Sequence, residues 1–178
     1  MSIKIREIQR GDIESIVNYW LHSDPEYLKD MGVDLDKLPK RKSLSEMLNE
    51  QIDTPMAEKN SLALICEFEE TTIGHCNIVE REKGEQAYMH LHIWKKEDRQ
   101  KGIGSEMVAR SCQYFFNVFD LKRIISEPYA LNPAPHKVLL RVGFELEKEY
   151  ITIPGSLSFK QRVCRYVLSR EKCLSRKN

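Results

Sequence analysis

The pattern of apolar and polar positions predicts a short strand and helices in the first third of the chain. Apolar residues alternate over 3–8 and then recur at helical spacing over 13–20, where Asp12 is expected to be the N-cap. Leu44, Met47 and Leu48 predict another short helix. Between them, residues 24–42 contain three helix-breaking residues and mixed charges, and no element is assigned there.

The pattern then changes to consecutive strands. Residues 61–68 are apolar enough for a buried strand, and 73–79 form a second strand after a hairpin turn at 69–72. A third strand over 87–94 alternates, so successive side chains point to opposite faces. One face carries Met89, Leu91 and Ile93, and the other carries Tyr88, His90, His92 and Trp94.

The second half predicts helices between strands. Apolar residues keep helical spacing from 102 to 119, which makes this the clearest helix of the chain. The remaining segments are a strand over 123–127, a helix over 135–142 that ends at Gly143, closing strands over 144–153 and 161–168, and a flexible tail over 171–178. The sum is a single mixed α/β domain over residues 1–178.

Composition narrows the class of protein. The 178 residues include 28 basic and 27 acidic side chains, a net charge of +1 that favours neither nucleic acid nor an anionic membrane. The five cysteines are odd in number and form no Cys-x-x-Cys pair, which argues for a reducing compartment. We find no signal peptide and no apolar run of membrane-spanning length, and we therefore expect a cytoplasmic protein, monomeric or homodimeric.

A glycine-containing loop precedes the strongest helix. It reads Arg99-Gln100-Lys101-Gly102-Ile103-Gly104-Ser105. The unpaired N–H groups and positive dipole at a helix start bind phosphate, and glycines let the backbone approach it. Arg99 and Lys101 are expected to add positive charge beside the phosphate. A mononucleotide P-loop pattern is absent, and Met107 replaces the third glycine of a dinucleotide fingerprint. Alone, the loop indicates an anion site or merely a glycine-containing cap.

The loop resembles the signature Gln/Arg-x-x-Gly-x-Gly/Ala of the GCN5-related N-acetyltransferase (GNAT) family, matched here by Arg99, Gly102 and Gly104. A second family segment, Asn-x-x-Ala-x-x-Leu-Tyr-x-Lys-x-Gly-Phe, is similar to residues 132–144. The order of elements also resembles the family. Residues 126–132 resemble its aminoglycoside 6′-type branch, and the domain also resembles its ribosomal-protein branch. The resemblance implies a mixed, mostly antiparallel sheet with a splayed strand pair, flanked by helices.

The resemblance also implies acetyl-CoA as the co-substrate. Free backbone N–H groups of His92, Ile93 and Trp94 would bind the acetyl carbonyl and the pantetheine amides. The amides from Gln100 to Ser105, Ile103 included, would bind the pyrophosphate. The side chain of Asn132 would hydrogen-bond the pantetheine arm.

Three side chains are candidates for the proton transfer that a protonated amine requires. Glu127 matches a carboxylate that does similar work in the two branches named above, although a strand-end glutamate can simply face water. His90 and His92 have the right ordinary pKa and share a strand face. They can instead only line a groove, and no metal is expected because no third ligand is nearby. The family's general-acid tyrosine corresponds to Leu139, so either no general acid is needed or Tyr129 or His136 takes its place.

The acceptor is expected to be a primary amine of a small molecule. Acidic residues over 24–36 could attract a cationic amine or could simply be solvated. Two alternatives stay open: acetylation of a protein N-terminus, and a module that binds acyl-CoA without turnover.

Overall fold

The computed structural model describes residues 3–99 and 102–175, which form seven strands and six α-helices joined by short 3₁₀ turns. In chain order the elements are β1 (Ile3–Glu7), α1 (Ile13–His22), α2 (Pro25–Asp30), α3 (Arg41–Asp53), β2 (Leu62–Phe68), β3 (Thr71–Glu82), β4 (Gln86–Ile93), α4 (Ile103–Phe119), β5 (Arg123–Ser126), α5 (Pro133–Val142), β6 (Glu145–Thr152), β7 (Gln161–Ser169) and α6 (Arg170–Ser175).

One seven-stranded sheet runs through the molecule in the order β1-β2-β3-β4-β5-β7-β6. All neighbouring strands are antiparallel except β4 and β5, which are parallel. The buried stripe of α4 and residues of α5 pack in one core cluster with the sheet, while α1 and α3 pack in a second cluster. The predicted mixed, mostly antiparallel sheet flanked by helices is confirmed.

The parallel pair β4–β5 opens like a V. The two strands are paired only from Gln86↔Arg123 to Tyr88↔Ile125, whereas β4 continues to Ile93. Beyond Tyr88, therefore, one edge of β4 faces a gap rather than a strand. This is the splayed pair that the family resemblance implies.

Two local predictions need correction. The hairpin turn between β2 and β3 has two residues, Glu69 and Glu70, both with positive φ, so β3 begins at Thr71. Such φ values twist the turn to match the strands even though neither residue is glycine. In the unassigned segment, Asp24 caps α2 by accepting the N–H groups of Glu26 and Tyr27.

Asp12 occupies the predicted N-cap position of α1, but its side chain does not accept an N–H group of this helix. Its carboxylate accepts two hydrogen bonds from the Arg6 guanidinium, at 2.7 and 2.9 Å, and one from the Gln9 N–H at 2.8 Å. These bonds tie β1 to the entry of α1, and they lower the pKa of the Asp12 carboxyl against the effect of its burial.

The tail predicted for residues 171–178 is helical as far as Ser175, because α6 buries Cys173 against the core. Residues 176–178 lie outside the described part of the chain. Across residues 3–99 and 102–175, no helix combines the length and apolarity needed to cross a membrane.

Candidate active site

The edge of β4 that faces the gap presents the backbone of alternate residues. The N–H of Trp94 donates to the Ile73 carbonyl of β3 at 2.9 Å. Because hydrogen-bonding direction alternates along an antiparallel strand, the backbone N–H of His92 also points toward β3. The backbone N–H groups of Leu91 and Ile93 point into the gap.

Two other bonds support this assignment. The hydroxyl of Ser126 in β5 donates to the Met89 carbonyl at 3.1 Å, and Arg99 donates to the Ile93 carbonyl at 3.1 Å. The prediction that His92, Ile93 and Trp94 all offer a free N–H is therefore corrected. Of the three, Ile93 alone has an N–H group that faces the gap, and sheet pairing occupies the N–H groups of His92 and Trp94.

The start of α4 has the geometry of an anion site. Gly102 adopts φ +76°, a left-handed conformation that a side chain would strain, and its missing Cβ opens onto empty space. The N–H of Ser105 turns back to the Gly102 carbonyl at 3.2 Å, while Ile103 and Gly104 form the first turn. Gln100 and Lys101, which were also predicted to contact phosphate, lie outside the described residues.

A groove of about 340 Å³ continues from this loop between α4 and α5. Its walls include Gly102, Ser105 and Ala109 on one side and Arg141 on the other. A long anionic ligand that begins on the first turn of α4 can therefore extend along the helix.

The side chain of Arg99 does not point along this groove. Its guanidinium donates to the carbonyls of Ile93 and Trp94, at 3.1 and 3.4 Å, and lies 3.8 Å from the ring centre of Tyr27 in α2. The prediction that Arg99 adds charge beside the phosphate is therefore corrected. Arg99 joins the end of β4 to α2 through hydrogen bonds and a cation–π contact.

Histidines collect on the opposite face of β4, beneath α1. His75 of β3 is directly opposite His92, and their rings stack with centroids 4.6 Å apart. Further along β4, the ring centroid of His90 lies 6.4 Å from that of His92. Trp20 of α1 contacts the edge of His92 at 4.9 Å.

Hydrogen bonds fix two of these rings. The indole N–H of Trp94 donates to His75 Nδ1 at 2.8 Å, so that nitrogen carries a lone pair. The hydroxyl of Tyr19 lies 3.2 Å from His92 Nδ1 and 3.3 Å from the hydroxyl of Tyr27. Each histidine therefore has a ring nitrogen that is not used by these bonds.

Burial keeps the histidines neutral. Desolvation lowers the pKa of His75 to about 3, and it lowers the pKa of His92 well below its ordinary value, helped by the two neighbouring histidines. The pKa of His90 is also lowered by burial, with a smaller opposing effect from Glu127. A neutral imidazole has the lone pair that a proton acceptor needs.

We expect this burial to make the protein less stable in acid. Unfolded His75 binds a proton below pH 6.5, whereas the folded side chain stays neutral until about pH 3. Between these values the unfolded state holds more protons, so the free energy of unfolding should fall by up to about 1.4 kcal/mol per pH unit for this group. Urea unfolding between pH 7 and pH 5 measures the slope. The variant His75→Gln should show a shallower slope, and equal slopes would contradict the assignment.

Glu127 sits just beyond β5 in an ion-pair network. Its carboxylate pairs with Arg165 of β7 at 2.8 Å and accepts a hydrogen bond from the Tyr150 hydroxyl. Only 7% of the Glu127 side chain and 12% of the Arg165 side chain are exposed. Arg165 also lies 2.9 Å from Glu147 and donates to the Tyr88 hydroxyl at 3.1 Å. A proton on Glu127 would weaken this buried pair, which works against a role as base.

The residues predicted from the second family segment lie around α5. The side-chain oxygen of Asn132 caps α5 by accepting the Ala134 N–H at 3.2 Å. Leu139 is buried in the core, as its apolar character requires. His136 lies 3.1 Å from both the Tyr129 carbonyl and the Tyr166 hydroxyl, so both of its ring nitrogens are engaged.

A second cleft, of about 490 Å³, opens between α2, the β5–α5 loop and the β6–β7 loop. Its walls include Asp30, Tyr129, Asn132 and Phe159. The segment after α2 is attached to the β6–β7 loop, since the Gln161 side chain donates to the Gly32 carbonyl at 2.8 Å and the Asp34 N–H donates to the Leu157 carbonyl at 2.8 Å.

The site thus combines a helix N-terminus suited to phosphate with the unpaired edge of a splayed strand. A comparison of the sequence with known families agrees with these features. The family model of the acetyltransferase (GNAT) domain matches residues 2–145. The chain belongs to the GNAT acetyltransferase family. It is accordingly an acyl-CoA-dependent N-acetyltransferase with acetyl-CoA as its co-substrate.

Solved GNAT structures share the whole fold. The spermidine N-acetyltransferase from Vibrio cholerae in complex with CoA and spermine has a TM-score of 0.79 at 19% identity, over 97% of this chain and 98% of that chain. The spermidine/spermine N-acetyltransferase from the same organism, in complex with manganese ions, has a TM-score of 0.74 at 20% identity, over 99% and 97%. At these identities the likeness establishes the fold. No curated protein sequence matches significantly.

Several residues of the site were not identified from the sequence. His75, Tyr19, Tyr27 and Arg165 all contact a predicted site residue or its immediate support. His75 could have been found from the alternation of β3 together with the register of β3 against β4. The others come from separate elements, and no local pattern in the sequence connects them with β4.

Proposed function

We propose that this GNAT enzyme transfers the acetyl group of acetyl-CoA directly to a primary amine of a small molecule. One observation carries the proposal: the gap-facing backbone of Ile93 lies next to the neutral, half-buried imidazole of His92. A hydrogen-bond donor for the acetyl carbonyl and a proton acceptor for the amine thus occupy adjacent positions of one strand.

In this scheme the donor uses the α4 side of the sheet. The pyrophosphate binds the amides of Ile103 and Gly104 at the start of α4, and the nucleotide continues into the groove beside Ser105. The pantetheine arm then enters the V between β4 and β5, past Asn132. The N–H of Ile93 stabilises the oxyanion that forms on the thioester carbonyl.

The acceptor approaches from the α1 and α2 side. Its nitrogen attacks the thioester carbon while His92 accepts the nitrogen proton, a C–N bond forms and the C–S bond breaks. The thiolate of CoA can leave unaided and takes a proton from water, since a thiol with an ordinary pKa near 8.5 is a tolerable leaving group. This removes the need for a tyrosine at position 139.

A protein-acetyl intermediate is not part of the scheme. The five cysteines are all buried, and burial raises the pKa of the Cys112 thiol well above its ordinary value. Neither condition suits a nucleophile, so a ternary complex with direct attack accounts better for the site.

A cationic small amine fits the acceptor side best. The cleft next to α2 contains Asp30 and the aromatic rings of Tyr129 and Phe159, which lie edge to face at 5.7 Å. Lys29 also lines the cleft, and its ammonium group is paired with Glu26 at 2.8 Å. Carboxylates and aromatic faces both attract alkylammonium groups. The similar Vibrio cholerae structures are named for spermidine and spermine, so polyamines are the first acceptors to test.

An amine panel tests the proposal. Purified protein is incubated with acetyl-CoA and, separately, with polyamines, aminoglycosides, amino acids and short peptides with free N-termini. Amine-dependent release of CoA thiol with at least one small amine is expected. Turnover confined to the peptides would favour an N-terminal acetyltransferase, and acetyl-CoA binding without any turnover would favour a non-catalytic module.

Glu127 is assigned a supporting role, which differs from the base predicted from the sequence. Glu127→Gln should lower kcat by less than about tenfold and should also lower the unfolding midpoint, because Arg165 loses a buried charge partner. A general base contributes about 100-fold to 10,000-fold. The matched control is Glu147→Gln, which removes the more exposed partner of the same guanidinium. A loss of kcat above 100-fold in a folded Glu127→Gln protein would restore Glu127 as the base.

A further inference from the structure

The base proposed above is connected to the donor loop by a chain of side chains from four different elements. Arg99, at the start of the loop, packs on the ring of Tyr27 in α2 at 3.8 Å. The hydroxyl of Tyr27 meets the hydroxyl of Tyr19 in α1 at 3.3 Å, which in turn meets His92 Nδ1 in β4 at 3.2 Å.

The surroundings leave these four side chains little freedom to rotate. Tyr19 is buried, and its ring contacts Trp20, His75 and His92 edge to face at 5.3 to 5.9 Å. Because His92 stacks on His75, which is itself held by Trp94, the ring plane of His92 is fixed from one side. The Tyr19 hydroxyl fixes the remaining freedom, which is the orientation of the two ring nitrogens.

We infer that Tyr19 and Tyr27 are positioning residues for the acetyl transfer, and that together with Arg99 they hold Nδ1 of His92 inward so that Nε2 is the nitrogen available to the acceptor amine. This inference rests on the proposed function, because it assigns a purpose to a base that acts in that reaction. It assigns roles to two tyrosines that the GNAT motifs of the sequence do not include.

This series of side chains also places a residue of the donor loop in contact with the acceptor side. Arg99 is three residues from Gly102 and touches the carbonyls of Ile93 and Trp94, while its guanidinium covers Tyr27. The side chain that orders the end of β4 thereby also supports the tyrosine that orients His92.

Hydroxyl deletions test the inference without removing an aromatic ring. Tyr19→Phe should lower kcat by about tenfold, and Tyr27→Phe by about threefold, with KM for acetyl-CoA and for the amine within about twofold of wild type. The double variant should match Tyr19→Phe alone, because Tyr27 acts only through Tyr19. The control is Tyr114→Phe, which removes a tyrosine hydroxyl bonded to Glu7, away from β4, and should leave kcat unchanged.

Unchanged kcat in Tyr19→Phe, or single effects that multiply in the double variant, would overturn the inference. A measurement independent of turnover is the ring nitrogen spectrum of His92, whose Nδ1 resonance should move in Tyr19→Phe and stay in Tyr114→Phe. A wild-type protein that acetylates no amine would refute the proposed function instead, whereas an active wild type with an unmoved His92 spectrum would refute only the chain.

Discussion

Replacing His92 by glutamine is expected to lower kcat by about 100-fold to 10,000-fold, the range that a positioned general base contributes. The imidazole is half-buried next to Ile93, and its lowered pKa leaves its lone pair unprotonated at pH 7, although it also makes the imidazole a weaker base. A glutamine preserves a polar side chain of similar reach, but its amide cannot accept a proton from an amine.

Steady-state kinetics with saturating acetyl-CoA and the best amine of the panel measures the effect. The dissociation constant for acetyl-CoA should stay within about twofold, because the groups proposed to bind the donor lie on the backbone and on the other face of the sheet. His22→Gln is the matched control, since His22 is exposed at the end of α1. If His92→Gln folds normally and keeps its kcat, His92 is not the base.

A charge placed at the start of α4 should have the second largest effect, this time on donor binding. Ser105 is half-buried in the first turn of α4 and lines the groove proposed for the nucleotide. Ser105→Glu would bring a carboxylate close to the phosphates of acetyl-CoA. Repulsion between unit charges a few ångströms apart is about 1 to 4 kcal/mol near a protein surface, which raises the dissociation constant about 5-fold to nearly 1,000-fold.

The same substitution should not weaken the fold. An acidic side chain in the first turn interacts favourably with the helix dipole, so the unfolding midpoint of Ser105→Glu should stay equal or rise slightly. Ser43→Glu provides the control, because Ser43 is the third residue of α3 just as Ser105 is the third residue of α4. Titration calorimetry with acetyl-CoA compares the two. Equal affinity in both variants would place the donor elsewhere.

The parts of the site that local signals encode could be predicted from the sequence. Alternation along β4 placed His90 and His92 on one face, and helical spacing with Gly102 marked the start of α4. Each of these signals spans fewer than about 20 residues, over which chain geometry alone relates the side chains. The gap beside β4 followed from the family resemblance and not from any spacing in the chain.

What could not be predicted depends on contacts between distant segments. Glu127 was predicted to be a base from the family resemblance. The sequence did not reveal its ion pair with Arg165, because that partner is 38 positions away on β7 and no local pattern indicates a buried ion pair. The prediction of a free backbone N–H at Trp94 was wrong for a related reason. Which N–H groups of a strand face outward depends on its register against the neighbouring strand, and the register of β3 with β4 includes an irregularity between Val79 and Glu82.

The sequence contained a signal for helix α2, but the helix-breaking residues around it prevented the assignment. Asp24 followed by Pro25 is a typical N-cap and first helical residue, and both have these positions in the structure. A helix of six residues is too short to show an apolar repeat, so the breakers around it dominated the interpretation. The consequence was substantial, because α2 carries Tyr27 and borders the cleft proposed for the acceptor.

The most direct test of the central claim is a single reaction in which both products are counted. Wild-type protein, acetyl-CoA and the best small amine are mixed, and CoA thiol and N-acetylated amine are quantified in the same samples over time. Direct transfer predicts equal amounts of the two products, no thiol release without the amine, and no acetyl group on the protein. Thiol release without acetylated amine, or an acetylated protein that forms before the product, would contradict the account.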